Sequence, residues 1–125
     1  DVREWQLRLE RAGDLSSEAH RFCLMQDLAL DANMVIVHSA DLKRAVETYG
    51  ERVYRALHLD AGVIGQLLNL AALREGLGVS GIGGFFDDQV NAALGLPLDH
   101  AILYVTVIGA ADRSGAENAD EDLEE

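Results

Sequence analysis

The chain of 125 residues is poor in cysteine and in basic residues. Cys23 is its only cysteine, which excludes an internal disulfide and fits a reducing compartment. Ten lysines and arginines stand against 22 aspartates and glutamates, which gives a net charge of -12. This charge argues against a nucleic-acid partner or an anionic membrane surface, because both would be repelled.

Targeting and metal-binding signals are also lacking. We expect no apolar run long enough to span a bilayer, and the first residues, DVREW, do not resemble a signal peptide. The expectation is therefore a cytoplasmic protein without a membrane partner. The four histidines have no metal-ligand spacing and Cys23 has no thiol partner, so we expect no metal site. No P-loop, H-E-x-x-H motif or Ser-His-Asp order is present.

The apolar content of 49% is sufficient for the core of one domain. Helical and strand-like patterns alternate along the chain, which predicts an α+β domain with a small sheet covered by helices. Helices are predicted at about 16–31, 41–49, 51–75 and 87–94. Ser16 or Ser17 is expected to cap the first helix and Ser39 the second. The third helix is expected to be broken near Asp60 to Gly62. Strands are predicted at 34–38, 79–82 and 101–108, with a further one where Trp5, Leu7 and Leu9 alternate.

The end of the chain differs in composition from the rest. Residues 111–125 contain seven acidic residues and one basic residue, so this stretch carries half of the net charge. It has no apolar periodicity, and we predict that residues 110–125 form a disordered acidic tail behind a domain that spans residues 1–109.

The segment 76–91, GLGVSGIGGFFDDQVN, is the most informative part of the sequence. Its first glycines satisfy G-x-G-x-x-G, but a dinucleotide-binding motif must follow a strand and open a helix. Here a predicted helix precedes the glycines and a strand follows them. Asp87 and Asp88, at the start of the next helix, would repel a phosphate. We therefore do not predict a Rossmann domain. Gly83 and Gly84 indicate bare backbone held against a flat group.

A series of short motifs follows one another along residues 5–109. They are Tyr49-Gly50-Glu51-Arg52 with Tyr54-Arg55, then Gly62, Gln66 and Asn69, then Gly76-Leu77-Gly78, then Ile82-Gly83-Gly84-Phe85 with Asp88, and finally Leu103-Tyr104 with Gly109. In this order the set resembles the nitroreductase superfamily of FMN-dependent enzymes, and within it the SagB-type dehydrogenases and azoline oxidases. The resemblance implies a nitroreductase-like fold in which two subunits interlock around the flavin.

Part of the family pattern is missing. The resemblance leads us to expect an N-terminal Arg and Ser motif for the flavin phosphate, and nothing before Leu15 matches it. The chain also begins with Asp1 rather than methionine. It therefore looks like the C-terminal half of a nitroreductase-like protein, whose other half is missing, cleaved or supplied by a second chain. We expect an obligate dimer or heteromer.

The resemblance implies FMN as the cofactor and places Gly81, Ile82, Gly83 and Gly84 along the isoalloxazine edge. Backbone N–H groups in such a turn can donate hydrogen bonds to the flavin without a side chain in the way. Judged on local sequence alone, the same residues would form an ordinary turn between a strand and a helix.

Gln66 and Asn69 are the other candidate cofactor-binding residues, and they share one face of the predicted long helix with Gly62. Their buried amides require hydrogen-bond partners, which could be the flavin, a substrate or a facing helix. Helix packing is the favoured interpretation, because side-chain amides more often serve structure than chemistry.

Tyr49 is the catalytic candidate. In the azoline-oxidase branch a Lys-Tyr pair occupies this place, where a base could remove a proton as hydride passes to the flavin. This chain has Thr48-Tyr49, so the lysine is absent. The alternative is a packing tyrosine with a solvated hydroxyl.

Two functions follow from these observations. The first is an FMN-dependent oxidoreductase, of the peptide-modifying SagB type, that acts on a small-molecule or peptide substrate and in which this chain supplies the C-terminal half of the flavin site. The second is a non-catalytic nitroreductase-like subunit that has lost the flavin and serves as a scaffold or a binding partner.

Overall fold

The computed structural model of the chain describes residues 9 and 11–111. This part contains five helices and three strands. In chain order they are α1 (Ser16–Phe22), α2 (Asp27–Leu30), β1 (Met34–Asp41), α3 (Leu42–Tyr49), α4 (Val53–Arg74), β2 (Gly78–Ile82), α5 (Asp87–Leu94) and β3 (His100–Gly109). Trp5 and Leu7 of the predicted first strand lie outside the described residues, as does the predicted acidic tail after residue 111.

The three strands form one antiparallel sheet in the order β1-β3-β2. β3 is therefore central and pairs with both neighbours. Its pairing with β1 shifts register, because His38 faces Tyr104 whereas Ser39 faces Ile102. Leu103 is the extra residue of this β-bulge. The bulge allows Ile102 to join the buried core while Tyr104 lies on the opposite face of the sheet.

The hydrophobic core lies between one face of the sheet and the helices α1, α2 and α5. Helices and strands contribute small and branched apolar side chains to it, which suits close packing on a pleated surface. The buried members are Ala19, Phe22, Cys23, Ala29, Ile82, Val90, Ile102, Val105 and Val107. Because Ile82 is the last residue of β2, this core fixes the point where the strand ends.

α4 covers the other face of the sheet but buries little of its own surface. Only Ala61, Gly65 and Ala72 are buried. Its larger apolar side chains are mostly exposed, among them Leu59, Val63, Ile64, Leu67, Leu70 and Leu73. The predicted break near Asp60 to Gly62 is wrong, since α4 is continuous. A single helical glycine costs only about 1 kcal/mol relative to alanine, which the surrounding alanines and leucines can offset.

The apolar character of α4 also corrects the expectation that no run is long enough to span a bilayer. With 22 residues, this one helix of the described chain is long and apolar enough to do so by length and composition alone. Helices that pack against protein can meet the same two criteria. The exposed polar side chains of Asp60 and Gln66 would lack partners in lipid, where each unsatisfied polar group is costly.

The predicted helix at 16–31 is two short helices separated by a corner at residues 23–26. Leu24 and Met25 have φ angles of 57° and 59°, so the backbone is left-handed at two consecutive residues that are not glycine. The first helix is not capped by Ser16 or Ser17 in the predicted way. Instead Asp14 Oδ1 accepts a hydrogen bond of 2.9 Å from the Ser16 N–H.

α3 begins at Leu42, one residue after its predicted start, and Ser39 is not its cap because β1 continues to Asp41. Asp41 is the N-cap, and its Oδ1 accepts a hydrogen bond of 2.9 Å from the Arg44 N–H. Helix 87–94 has the predicted bounds, and β2 and β3 each differ from the prediction by no more than one residue at either end.

Candidate functional site

Residues 83–86 form a turn between β2 and α5, and several backbone N–H groups of this turn are free of turn, loop and cap hydrogen bonds. The ladder between β2 and β3 ends with the pair Ile82 and Val105. Among the turn, loop and cap hydrogen bonds of the described residues, none is donated by the N–H groups of Gly83, Gly84 or Phe85. A Cβ on Gly83 would meet nothing within 4 Å. Backbone donors therefore border open space here.

The glycines of this turn provide room rather than a special backbone conformation. Neither Gly83 nor Gly84 has a positive φ. A Cβ on Gly84 would lie 3.0 Å from Leu24 Cδ1, so this glycine allows the α1–α2 corner to approach the turn. Ile82 is 1% exposed with its side chain in the core, which means that only its backbone could face a ligand.

Gly81 does not border open space, because the Tyr104 ring occupies the position that a side chain on residue 81 would take. A Cβ on Gly81 would lie 1.5 Å from the Tyr104 hydroxyl oxygen, and one on Gly65 would lie 2.9 Å from Tyr104 Cε1. The phenol ring thus occupies a slot lined by one glycine of β2 and one of α4. The sequence analysis used Tyr104 only as part of a motif. Neither Gly65 nor Gly81 alone predicts this slot from the sequence, because the slot forms only where α4, β2 and β3 pack together.

Gln66 and Asn69 do not form the buried pair that was expected. Gln66 is exposed on α4. Asn69 is half-buried, and its Nδ2 donates a hydrogen bond of 3.0 Å to the carbonyl oxygen of Gly65, one turn earlier in the same helix. The donor of Asn69 is therefore used within α4, and Gln66 presents its amide to the uncovered side of the helix.

Tyr49 lies at the end of α3 and is 75% exposed. No side-chain hydrogen bond or ring contact among the described residues involves it. Tyr49 is therefore mostly unpacked within the described residues, and its role as a packing or a catalytic residue stays a prediction. Its hydroxyl is solvated and accessible, which is compatible with either a partner chain or a substrate.

The sequence analysis did not predict a cluster of polar side chains on the face of the sheet that α4 covers. His38 Nε2 is 3.0 Å from Thr106 Oγ1, and the His38 and Tyr104 rings are 5.8 Å apart between centroids. Thr106 is fully buried. Burial lowers the pKa of His38 below its ordinary value, because desolvation disfavours the charged imidazolium. The alternation of Tyr104, Thr106 and apolar residues in β3 was the available signal.

This pKa shift predicts how stability depends on pH. The unfolded chain takes up a proton at His38 near the ordinary pKa of about 6.5, whereas the folded chain resists it to lower pH. Stability should therefore fall as pH decreases from about 6.5 toward the lowered folded pKa. Urea unfolding of the wild type and of His38→Gln between pH 7.5 and 5 tests this. The variant should lose less stability over that range, and parallel curves would contradict the prediction.

The comparisons with known proteins agree with this architecture. Residues 3–110 match the nitroreductase family. A protein of Methanocaldococcus jannaschii assigned as a nitroreductase is 32% identical over 63 residues, which cover 50% of this chain and 32% of that protein. The chain therefore spans about a third of the length of this curated relative.

Solved structures show the same similarity. A protein of Anabaena variabilis assigned as a nitroreductase is 56% identical, with a TM-score of 0.77 over 80% of this chain and 20% of that one. Nitroreductase A of Vibrio parahaemolyticus is 28% identical, with a TM-score of 0.66 over 81% of this chain and 48% of that one. The NADPH:FMN oxidoreductase of Vibrio harveyi, solved with NAD+, is 27% identical, with a TM-score of 0.64 over 78% of this chain and 47% of that one.

Proposed function

The chain belongs to the nitroreductase family, and we propose that it supplies the C-terminal half of the site of an FMN-dependent oxidoreductase. When bound, FMN supplies hydride transfer to or from a substrate. FMN as the cofactor is supported by the family and by the similarity to an NADPH:FMN oxidoreductase. The chain's own contribution is a set of backbone groups that bind and orient the cofactor.

The observation that carries this proposal is the turn at residues 83–86. The N–H groups of Gly83, Gly84 and Phe85 donate none of the turn, loop and cap hydrogen bonds of the described residues, and the side of Gly83 is open. A flat ring with acceptor atoms at its edge fits such a surface, since it needs donors and no intervening side chain. Donors placed at the edge of a ring that gains negative charge on reduction stabilise the reduced form.

The finer assignment that we propose is a SagB-type, peptide-modifying dehydrogenase. It rests on the ordered motifs between Tyr49 and Gly109. Thr48-Tyr49 lacks the lysine of the azoline-oxidase pair, so we do not propose ring oxidation by that pair. The exposed hydroxyl of Tyr49 remains the candidate proton-handling group for a small-molecule or peptide substrate.

We propose that the partner of this chain is a second copy or a complementary N-terminal chain, and that it covers α4. The uncovered apolar residues of that helix support this, because apolar patches of such extent on a soluble chain mark interaction surfaces.

A cytoplasmic location fits the buried, unpaired Cys23.

Gly83→Val tests the function. In the complete protein, the β-branched side chain would enter the space proposed for the flavin and should reduce FMN affinity by at least about tenfold. Because nothing lies within 4 Å of the added Cβ, the melting temperature of the cofactor-free protein should stay nearly constant. Flavin fluorescence titration and thermal unfolding measure the two effects. Ala92→Val, which enlarges an exposed helical residue of α5, is the matched control.

Two results would contradict the proposal. If Gly83→Val retains full FMN affinity, the turn is only a structural connection. If the complete wild-type assembly binds no FMN, the chain is the non-catalytic scaffold subunit instead.

A further inference from the structure

The corner between α1 and α2 holds the turn at three points. Gln26 Nε2 donates a hydrogen bond of 3.3 Å to the carbonyl oxygen of Gly84. The carbonyl oxygen of Phe22 accepts one of 2.8 Å from the Phe86 N–H. Leu24 lies against the open side of Gly84. The carbonyl before Phe85 and the N–H after it are thus both hydrogen-bonded to residues at the α1–α2 corner.

Peptide geometry determines what Phe85 presents on its other side. The described chain has no cis peptide bonds, and in a trans peptide the C=O and N–H groups point in opposite directions. Since the Gly84 carbonyl faces Gln26, the Phe85 N–H faces away from the corner. Since the Phe86 N–H faces Phe22, the Phe85 C=O also faces away from it. Phe85 therefore presents a donor and an acceptor side by side.

The corner that provides these anchors is conformationally costly. Leu24 and Met25 both adopt left-handed backbone angles, which L-residues with side chains disfavour. Their side chains are 44% and 62% exposed, so burial does not compensate for the strain. What maintains the corner is its hydrogen bonding, from the Met25 N–H to the His20 carbonyl at 2.8 Å and from the Gln26 N–H to the Cys23 carbonyl at 3.2 Å.

We propose that Gln26 is a positioning residue of the flavin site, and that through Gly84 it orients the Phe85 backbone to bind the imide edge of the isoalloxazine. That edge carries a neighbouring N–H and C=O, which complement the acceptor and donor of Phe85. This inference rests on the proposed function. It adds to the site the carbonyl oxygen of Phe85 as an acceptor beside the Phe85 N–H, and a side chain that acts through the backbone.

Gln26→Leu in the complete protein tests the inference, with Gln89→Leu, an exposed glutamine on α5, as the matched control. Removal of the donor frees the Gly84 carbonyl and allows the Phe85 peptide to rotate. We expect the affinity for reduced FMN to fall about tenfold more than that for oxidised FMN, which lowers the two-electron midpoint potential by about 30 mV.

Hydrogen exchange supplies a second measurement: FMN should protect the Phe85 amide in the wild type and in Gln89→Leu, but less in Gln26→Leu.

Gln26→Glu distinguishes orientation from packing. The carboxylate cannot donate to Gly84, whereas the neutral acid can. Relative to the wild type at each pH, its FMN affinity should be reduced at pH 8 and should recover only below about pH 5, as the carboxyl is protonated near the ordinary glutamate pKa of about 4.3. If wild-type protein binds FMN but both Gln26 variants match Gln89→Leu, the inference is wrong and the proposed function stands. If wild-type protein binds no FMN, the proposed function itself fails.

Discussion

Gly81→Ala is expected to destabilise the protein by about 1–3 kcal/mol, the usual cost of overpacking a filled site. The added carbon would overlap the Tyr104 hydroxyl, which lies 1.5 Å from its position. Gly65 also lies against this ring, beside Cε1 and Cδ1, which limits how far the ring can shift. Urea unfolding of the wild type and the variant measures the loss.

Removal of the ring should relieve the Gly81→Ala defect. In the double variant Gly81→Ala with Tyr104→Val, we expect a smaller loss than the sum of the two single losses, by at least about 1 kcal/mol. Gly62→Ala is the control, since a Cβ there meets nothing within 4 Å and alanine favours a helix. Additive losses in the double variant would show that the ring and Gly81 do not compete for space.

Leu67→Glu is expected to dissociate the assembly that covers α4. Leu67 is 61% exposed in the isolated chain, and burial of such a side chain contributes about 1.5–3 kcal/mol. A charge in its place adds a desolvation cost, so dissociation should become at least about tenfold easier. Analytical ultracentrifugation at micromolar concentration should show more than one chain per particle for the wild type and a lower mass for the variant.

Leu98→Glu provides the matched control for the assembly. Leu98 is 81% exposed and lies in the loop between α5 and β3, outside α4. This substitution should leave the sedimenting mass unchanged. A wild-type chain that sediments as a compact monomer would contradict the prediction that α4 needs a partner.

Local sequence signals were sufficient for several elements of the fold. Helix 87–94 opens with Asp87 and Asp88, whose charges suit a helix N-terminus, and it ends at Gly95, whose left-handed conformation is a common helix terminator. The strand at 101–108 consists largely of β-branched residues, and the strand at 79–82 begins and ends with one, in both cases between turn signals. In each case, the residues that determine the element are neighbours in the chain.

The features that local signals missed depend on distant contacts. Leu24 and Met25 are ordinary helix-compatible residues, and nothing in their sequence predicts left-handed backbone. Besides the local hydrogen bonds of the corner, Gln26 and the neighbouring Phe22 bond to Gly84 and Phe86, about 60 residues later in the chain. The slot for Tyr104 likewise requires glycines from two other elements. For the candidate site, the resemblance pointed to the turn, but only the fold located Gln26 and the half-buried His38.

The central position of β3 has a consequence for synthesis. β3 is the last of the described elements to leave the ribosome, yet β1 and β2 each pair only with it. His38 and Thr106, which meet across the sheet, are 68 residues apart in the chain. Closure of so long a loop costs entropy before any pairing can compensate, and pairing between distant segments is slow. Until β3 emerges, both earlier strands therefore have unpaired edges, and the nascent chain is most exposed to misassociation and most dependent on chaperones during that interval.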